Sequence, residues 1–183
     1  MSEMSRNEAL IGSAAFFLIA PGMVAGVIPW LITGWGFGDD ASTSLIVTGG
    51  AIIALAMVLL IECFVRFALK GGGTPAPVAP AQELVVSGFY ARVRNPMYVA
   101  VTALVLGQAL VFASAALIAY GFIIWFAFLM FVLYYEEPRL RAEFPETYPA
   151  YFEHVPRWIP RLTPWKPETV KDAEGSNSAS LLE

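Results

Sequence analysis

The sequence predicts an all-α protein: a polytopic membrane bundle of about four transmembrane helices, followed by an amphipathic helical segment on the cytoplasmic side. Two observations lead to this prediction. The 183-residue chain is 57% hydrophobic and only 14% charged, whereas about a quarter of the residues in a soluble domain are charged. The chain also contains four apolar runs close to the roughly 20 residues that a membrane-spanning helix needs. We therefore expect much of its surface to face lipid.

These four runs define the helices in order. They cover residues 9–33, 43–69, 96–113 and 115–135. Pro21 and Pro29 should kink the first helix without breaking it, because neighbouring helices can bind the carbonyl groups that a proline leaves free. The first run is too long for a cleaved signal peptide, and no small-residue cleavage site follows it. Only Ala113-Ser114-Ala115 separates the last two runs, which predicts a tight helical hairpin.

The runs also divide the chain into regions. We expect a two-span N-terminal region at 1–70, a Gly/Pro linker at 71–81, a core of hairpin and cytoplasmic cap at 82–165, and a disordered tail at 166–183. The linker cannot be a regular helix, because three prolines recur in it.

The distribution of charge predicts the orientation. Residues 34–42, between the first two runs, contain Asp39 and Asp40 but no Lys or Arg, while the next connection and the C-terminal tail hold most of the basic residues. Cytoplasmic loops of membrane proteins carry the excess of Lys and Arg. Both termini are therefore expected in the cytoplasm, in an integral membrane protein of the bacterial inner-membrane type.

Composition excludes several other classes of site. The single cysteine, Cys63, cannot form an internal disulfide, and the single histidine, His154, cannot build a multi-histidine metal site. No metal is expected. No basic face stands out, so nucleic acid is not an expected partner. The oligomeric state cannot be read from the sequence.

Polar residues gather at the cytoplasmic end of the predicted bundle. Asn95-Pro96 opens the third run, and Asn favours the N-cap of a helix while Pro favours its first position. A helix N-terminus also presents free N–H groups that suit a carboxylate or a ribose hydroxyl. Glu136 and Glu137 close the fourth run near the negative end of the helix dipole. They are either a solvated pair or the holders of a cationic or hydroxyl-rich ligand.

Three further polar groups are expected to have structural partners. Glu62 and Arg66 stand four residues apart and can pair on one helix face. Gln108, inside the third run, is expected to hydrogen-bond between helices.

The segment 139–162 is amphipathic and aromatic, with Leu140 and Phe144 on one face, and should cap the bundle at the membrane surface.

Two ordered motifs resemble those of a known family. The segment LVVSGFYARVRNPMY (84–98) is followed by the predicted hairpin and then by YEEPRLRAEFPETYPAYFEHVPRWIPRL (135–162). Together they resemble the integral-membrane S-adenosylmethionine-dependent methyltransferases, which comprise the isoprenylcysteine carboxyl methyltransferases and the phospholipid N-methyltransferases. The resemblance covers about residues 82–162. The two N-terminal spans match only in being apolar.

The resemblance implies a pocket for S-adenosylmethionine, with S-adenosylhomocysteine as product, at the cytoplasmic end of the last two spans. The core at 82–165 would then be the methyltransferase core. The positions that match the family's cofactor-binding residues are Gln82, Glu83, Leu84, Val85, Tyr90, Asn95, Pro96, Met97, Tyr98, Glu136 and Glu137. The candidates for a catalytic role are Glu136, Glu137 and Arg94.

The departures from the family pattern bear on the acceptor. Asn95 replaces the usual histidine and cannot take a proton, and Pro145 replaces a glycine. Val132 stands where the carboxyl methyltransferases have an arginine, which weakens a carboxylate acceptor. Arg94, Arg139 or Arg157 could take the place of that arginine. The phospholipid branch of the family resembles this chain more closely, in its Asn-Pro-Met-Tyr and Tyr-Glu-Glu-Pro segments, so the resemblance implies a phospholipid headgroup amine as the acceptor. Methylation of an isoprenylcysteine carboxylate or of another small lipophilic molecule, and a purely structural helical bundle, are the alternatives.

Overall fold

The protein is helical throughout the part of the chain that can be described. A computed structural model describes residues 15, 16, 18–70 and 83–166, and these contain five helices and no strand. The helices are α1 (Leu18–Thr33), α2 (Thr43–Lys70), α3 (Pro96–Val111), α4 (Ala115–Glu143) and α5 (Tyr148–His154). A short 3₁₀ turn, Gly88–Ala91, precedes α3. The predicted linker, Gln82 and the tail beyond Lys166 lie outside the described residues.

Two helices are long and apolar enough to cross a membrane: 25 residues at Thr43–Phe67 and 29 residues at Ala115–Glu143. Large apolar side chains, Leu55 and Phe122 among them, are exposed on their outer faces. The apolar helices α1 and α3 are shorter. The 16 residues of α3 extend about 24 Å, less than the ~30 Å hydrocarbon thickness of a bilayer. Two of the four expected spans thus meet the length requirement outright.

Helix α1 changes its winding between its two prolines. A π-helical turn at Met23–Val27 directs the Ile28 N–H to the Met23 carbonyl. Because Pro29 has no N–H, the carbonyls of Val24 and Ala25 are both left without a partner on the helix itself. The side chains of other helices bind them instead, as described next. The first helix continues through both prolines, as expected, and its irregularity is this π-helical turn.

The two free carbonyls of α1 are bound by side chains from α3 and α4. Gln108 Nε2 donates to the Ala25 carbonyl at 2.7 Å, and the Tyr120 hydroxyl donates to the Val24 carbonyl at 2.9 Å. Both bonds satisfy groups that would be costly to leave unpaired in lipid. The expected interhelical role of Gln108 is confirmed.

Helices α2 and α3 cross at two glycines. A Cβ on Gly49 would lie 2.5 Å from the Gly107 carbonyl oxygen, and one on Gly107 would lie 3.0 Å from the Gly49 carbonyl oxygen. Only glycine permits this approach of two backbones, and small residues at such crossings are typical of membrane helices. The crossing fixes α3 firmly against α2.

The predicted hairpin between the last two long helices is confirmed. Helix α3 ends at Val111, Ala113 adopts a left-handed conformation with φ of 47°, and α4 begins at Ala115. The Ser114 hydroxyl caps α4 by accepting from the Leu117 N–H at 3.3 Å. The antiparallel arrangement brings the start of α3 beside the end of α4, where the polar residues were expected to meet.

The C-terminal segment folds back over the chain that precedes α3. The N–H of Arg94 donates to the Pro156 carbonyl at 2.9 Å, and the N–H of Trp165 donates to the Ala91 carbonyl at 2.8 Å. A buried cluster beneath these bonds joins α5 to its surroundings; its members include Leu84, Leu140, Phe144, Tyr148, Tyr151 and Val155. The segment from α5 to Trp165, called the cap below, therefore closes one end of the bundle.

Candidate active site

A cavity of about 600 Å³ lies between α1, α2, α3 and α4. Its polar lining groups come from the segment before α3, the first turn of α3 and the end of α4. They are Tyr90, Arg94, Asn95, Tyr98 and Glu136. The remaining lining residues are apolar, among them Pro96 and Met97 at the start of α3. The cavity thus collects six of the sequence-predicted cofactor positions and the candidate Arg94.

Tyr98 and Glu136 meet inside this cavity. The Tyr98 hydroxyl donates a hydrogen bond to Glu136 Oε2 at 2.7 Å. The Tyr98 ring packs on Phe128 with 4.7 Å between ring centroids, and its centroid is 6.5 Å from that of Phe131. The phenol therefore orients one carboxylate oxygen within a largely aromatic wall.

The adjacent residues Glu136 and Glu137 have different surroundings. A π-helical turn at Val132–Glu136 ends between them. Glu136 lines the cavity, whereas Glu137 is only 8% exposed and does not line it. Arg157 forms a bidentate ion pair with Glu137, in which Nε donates to Oε1 at 2.7 Å and Nη2 donates to Oε2 at 3.0 Å. Sequence reasoning expected the pair to face one ligand together.

Arg94 connects the buried glutamate to the cavity. Its Nη1 lies 3.1 Å from Glu137 Oε1, and its side chain is only 9% exposed. Its guanidinium stands 4.0 Å from the centre of the Phe152 ring, a favourable cation–π distance. Yet Arg94 Nε has no hydrogen-bond partner among the described residues. A buried N–H in that state costs about 1–3 kcal/mol.

Asn95 stands at the N-cap of α3 but does not cap it with its side chain. Pro96 occupies the first helical position, as expected. The Asn95 amide instead donates from Nδ2 to the Arg157 carbonyl at 3.1 Å. The predicted helix start at Asn95-Pro96 is confirmed, with Asn95 at the N-cap. The bond from Nδ2 gives the buried amide an acceptor in the C-terminal segment.

The 3₁₀ turn before α3 is seated on α2. Glu62 and Arg66 form the predicted ion pair. Gly88 lies against both side chains with φ of 66°, and a Cβ there would overlap them. This contact places Tyr90, whose carbonyl accepts from the Tyr151 hydroxyl at 2.8 Å. Burial raises the pKa of both phenols, Tyr90 and Tyr151, so both stay protonated.

The residues just before the 3₁₀ turn, 83–85, do not line the cavity. Glu83 is exposed, Leu84 packs on the cap cluster, and Val85 is buried beside Cys63 and Tyr90. None of the three lines the cavity. Gln82, expected to bind the cofactor with them, lies outside the described part of the chain. These residues support the cavity indirectly, because Val85 packs against Tyr90, which lines it.

Two groups of site residues were missed by sequence reasoning. Arg157 was not expected to bind Glu137, although a buried acid at a helix end calls for a cation nearby. The hydrogen bond from Arg157 to Glu137 raises the pKa of this arginine, so its guanidinium stays charged. The apolar wall contributed by α1 had no sequence signal, because nothing distinguishes its inward residues from its lipid-facing ones.

The fold and the cavity define a helical protein with two helices long and apolar enough to cross a membrane, and with a cavity between its helices. A model of the phospholipid methyltransferase family matches residues 44–147, more than half of the chain. The chain belongs to the phospholipid methyltransferase family. Comparison with curated proteins and with solved structures gives no match.

The family match has informative limits. It takes in all but the first residue of α2, whereas the resemblance seen in the motifs began only near residue 82. Helix α1 and the whole cap lie outside it. Membership implies methyltransferase activity on a lipid-type substrate at a membrane.

Proposed function

We propose that this protein transfers a methyl group from S-adenosylmethionine to the headgroup amine of a phospholipid. The observation that supports this best is the hydrogen bond between Tyr98 and Glu136, because it joins the two family motifs in one cavity. The proposal includes a four-span bundle in which α1 and α3 also cross the membrane. The excess of Lys and Arg near the cavity supports a cytoplasmic position for this end and for both termini.

The cavity residues fit the chemical groups of the cofactor. Glu136 is suited to its ammonium or ribose hydroxyls, since carboxylates form strong charge-assisted hydrogen bonds. Arg94 lines the cavity and its guanidinium is suited to the cofactor's carboxylate. The rings of Tyr98 and Phe128 can face a sulfonium, which aromatic faces attract. When bound, S-adenosylmethionine supplies an electrophilic methyl group.

The protein's remaining tasks are alignment, exclusion of water and removal of a proton. Positioning two reactants can account for much of a barrier reduction, and the mostly apolar lining excludes water. A headgroup amine is protonated near neutral pH and must lose its proton before it attacks. Glu136 is the carboxylate that lines the cavity among the described residues, so it is our candidate base. Tyr98 holds its Oε2 in place.

Glu137 and Arg94 are assigned different tasks from Glu136. Glu137 is held between two arginines and takes no part in proton transfer. It fixes Arg94 at the cavity wall through the 3.1 Å ion pair. Glu137 is therefore a positioning residue, while Arg94 binds the ligand directly.

An isoprenylcysteine carboxylate is the alternative acceptor. It would require a cation in the cavity, and Arg94 is the candidate. Val132, at the position of the family's substrate arginine, is buried and does not line the cavity. A carboxylate acceptor would therefore compete with the cofactor for Arg94, which favours the amine.

The test combines binding and turnover. Purified protein in mixed micelles is titrated calorimetrically with S-adenosylhomocysteine and then incubated with labelled S-adenosylmethionine and phosphatidylethanolamine. We expect binding, and methylated lipid by mass analysis. Glu136→Gln should reduce turnover by about a hundredfold or more, the usual contribution of a general base.

The matched control is Glu143→Gln. Glu143 lies on the same helix and pairs at 3.4 Å with Arg139, away from the cavity. It should leave both binding and turnover unchanged. Absence of S-adenosylhomocysteine binding to the unaltered protein would overturn the enzymatic assignment and favour a structural bundle. A methylated isoprenylcysteine in place of a methylated amine would overturn the acceptor.

A further inference from the structure

We propose that α1 is the wall against which an acyl chain of the lipid acceptor lies, and that it selects which chains the cavity accepts. This inference rests on the proposed function, since it concerns the acceptor of the same reaction. It adds an element that the family motifs do not contain, together with two positioning residues.

Helix α1 and Phe16, two residues before it, contribute only apolar groups to the cavity. Phe16, Ala20, Pro21 and Val24 all line it. None of them carries a hydrogen-bonding or charged side chain for a carboxylate or a ribose hydroxyl. These residues are therefore unsuited to the cofactor's polar groups and suited to a hydrocarbon chain.

The cavity continues inward from its polar groups. Val101 lies six residues beyond Asn95, about 9 Å along α3, and Ala127 lies nine residues before Glu136, about 13 Å along α4. Both are apolar and both line the cavity. The space therefore extends from the polar groups into the hydrocarbon depth of the bundle. A headgroup beside Glu136 would place its chains in this inner part.

Two hydrogen bonds fix the position of α1 at and beside Val24, which lines the cavity. The Val24 carbonyl is bound by Tyr120, and the neighbouring Ala25 carbonyl is bound by Gln108. Pro29 and the π-helical turn free both carbonyls, so the attachment is built into the sequence of α1. Neither Gln108 nor Tyr120 lines the cavity. They act only through the placement of α1.

Helix α1 also lies outside the region that the family model matches, which begins at residue 44. The polar groups of the cavity all lie within the matched region. Binding of the methyl donor and contact with the acceptor chain are thus assigned to different parts of the sequence.

The first experiment changes the wall. Ala20→Phe narrows the cavity at α1, while Val24→Ala widens it. Rates are compared for dihexanoyl- and dioleoyl-phosphatidylethanolamine, and affinity for S-adenosylhomocysteine is measured on the same samples. Ala20→Phe should lower kcat/KM for the dioleoyl lipid by about tenfold, the low end for one mis-sized apolar group. The dihexanoyl lipid and S-adenosylhomocysteine should be affected less than about twofold.

The control and the second variant keep this test decisive. Ile19→Phe alters an outward side chain of the same helix and should change nothing. Val24→Ala should shift the preference toward the bulkier lipid. Equal losses for both lipids in Ala20→Phe, with no shift in Val24→Ala, would overturn the inference.

A second experiment separates this inference from the proposed function. Phosphatidylethanolamine with a diazirine in its acyl chain is photolysed with the protein, and labelled peptides are mapped. Label at Ala20 and Val24 should fall when unlabelled lipid competes, whereas label at outward Ile19 should not. Competed labelling without methylation would leave the inference standing and the proposed reaction wrong. Methylation without competed labelling of α1 would overturn the inference alone.

Discussion

The Tyr98 hydroxyl and the Glu136 carboxylate are 2.7 Å apart, although 38 residues separate them in the chain. The antiparallel hairpin of α3 and α4 creates this contact, because it brings Glu136 on α4 back beside the first turn of α3. The bond is the point at which the two motifs act as one site.

Removing this bond should impair the site without disturbing its packing. Tyr98→Phe keeps the ring against Phe128 but removes the donor to Glu136. A hydrogen bond to a charged group contributes about 1.5–3 kcal/mol. We expect kcat/KM to fall at least about tenfold, measured by labelled methyl transfer. Tyr134→Phe, which alters an exposed phenol on α4, is the control. Equal rates for all three proteins would show that the bond has no role.

The buried Glu137 should matter more for stability than for chemistry. Glu137→Ala leaves Arg94 and Arg157 without their carboxylate, and breaking a buried ion pair costs about 3–5 kcal/mol. Thermal unfolding in detergent should show a clear fall in Tm. Removing the exposed pair partner in Glu143→Ala should cost about 1 kcal/mol or less. Similar Tm values for the two variants would contradict the assigned role of Glu137.

Gly88 and Gly50 form a matched pair for backbone substitution. Gly88→Ala introduces a side chain at positive φ and against Glu62 and Arg66, and the left-handed conformation alone costs about 1–2 kcal/mol. We expect lower Tm and weaker S-adenosylhomocysteine binding, because Tyr90 shifts. Gly50→Ala adds a Cβ in open space on a helix and should stabilise, since Ala favours helix over Gly by about 1 kcal/mol. Unchanged Tm and affinity in Gly88→Ala would contradict the inference that the contact of Gly88 with α2 positions Tyr90.

The attachments of α1 should affect the acceptor and spare the cofactor. Gln108→Leu and Tyr120→Phe each remove one interhelical hydrogen bond, worth about 0.6 kcal/mol in membrane proteins. We expect KM for phosphatidylethanolamine to rise about threefold, with kcat and S-adenosylhomocysteine affinity unchanged. Thr33→Val, which removes a bond within α1 to the Pro29 carbonyl, is the control. A loss of cofactor affinity in the first two variants would indicate a general structural role.

The sequence predicted those features that local chemistry or chain order determines. Pro96 begins α3, Ser114 ends the hairpin connection, and Glu62 pairs with Arg66, each for reasons visible within a few residues. The meeting of Asn95 and Glu136 at one cavity followed from the order of the motifs and the antiparallel hairpin.

The unpredicted features depend on tertiary contacts. Glu136 and Glu137 are adjacent in sequence, and only the packing of α4 against α3 and the cap gives them separate surroundings. The Asn95 amide donates to the Arg157 carbonyl, which lies 62 residues away in the chain. The inward face of α1 could not be separated from its lipid face, because both are apolar.

The bonds between the cap and the start of α3 have a consequence for biosynthesis. Pro156, Arg157 and Trp165 follow all four long helices in the chain, yet they bind Arg94, Asn95 and Ala91. The ribosome delivers the helices to the translocon before these partners exist. A nascent chain that ends before Pro156 therefore contains all four helices but lacks the bonds that hold the start of α3 against the cap.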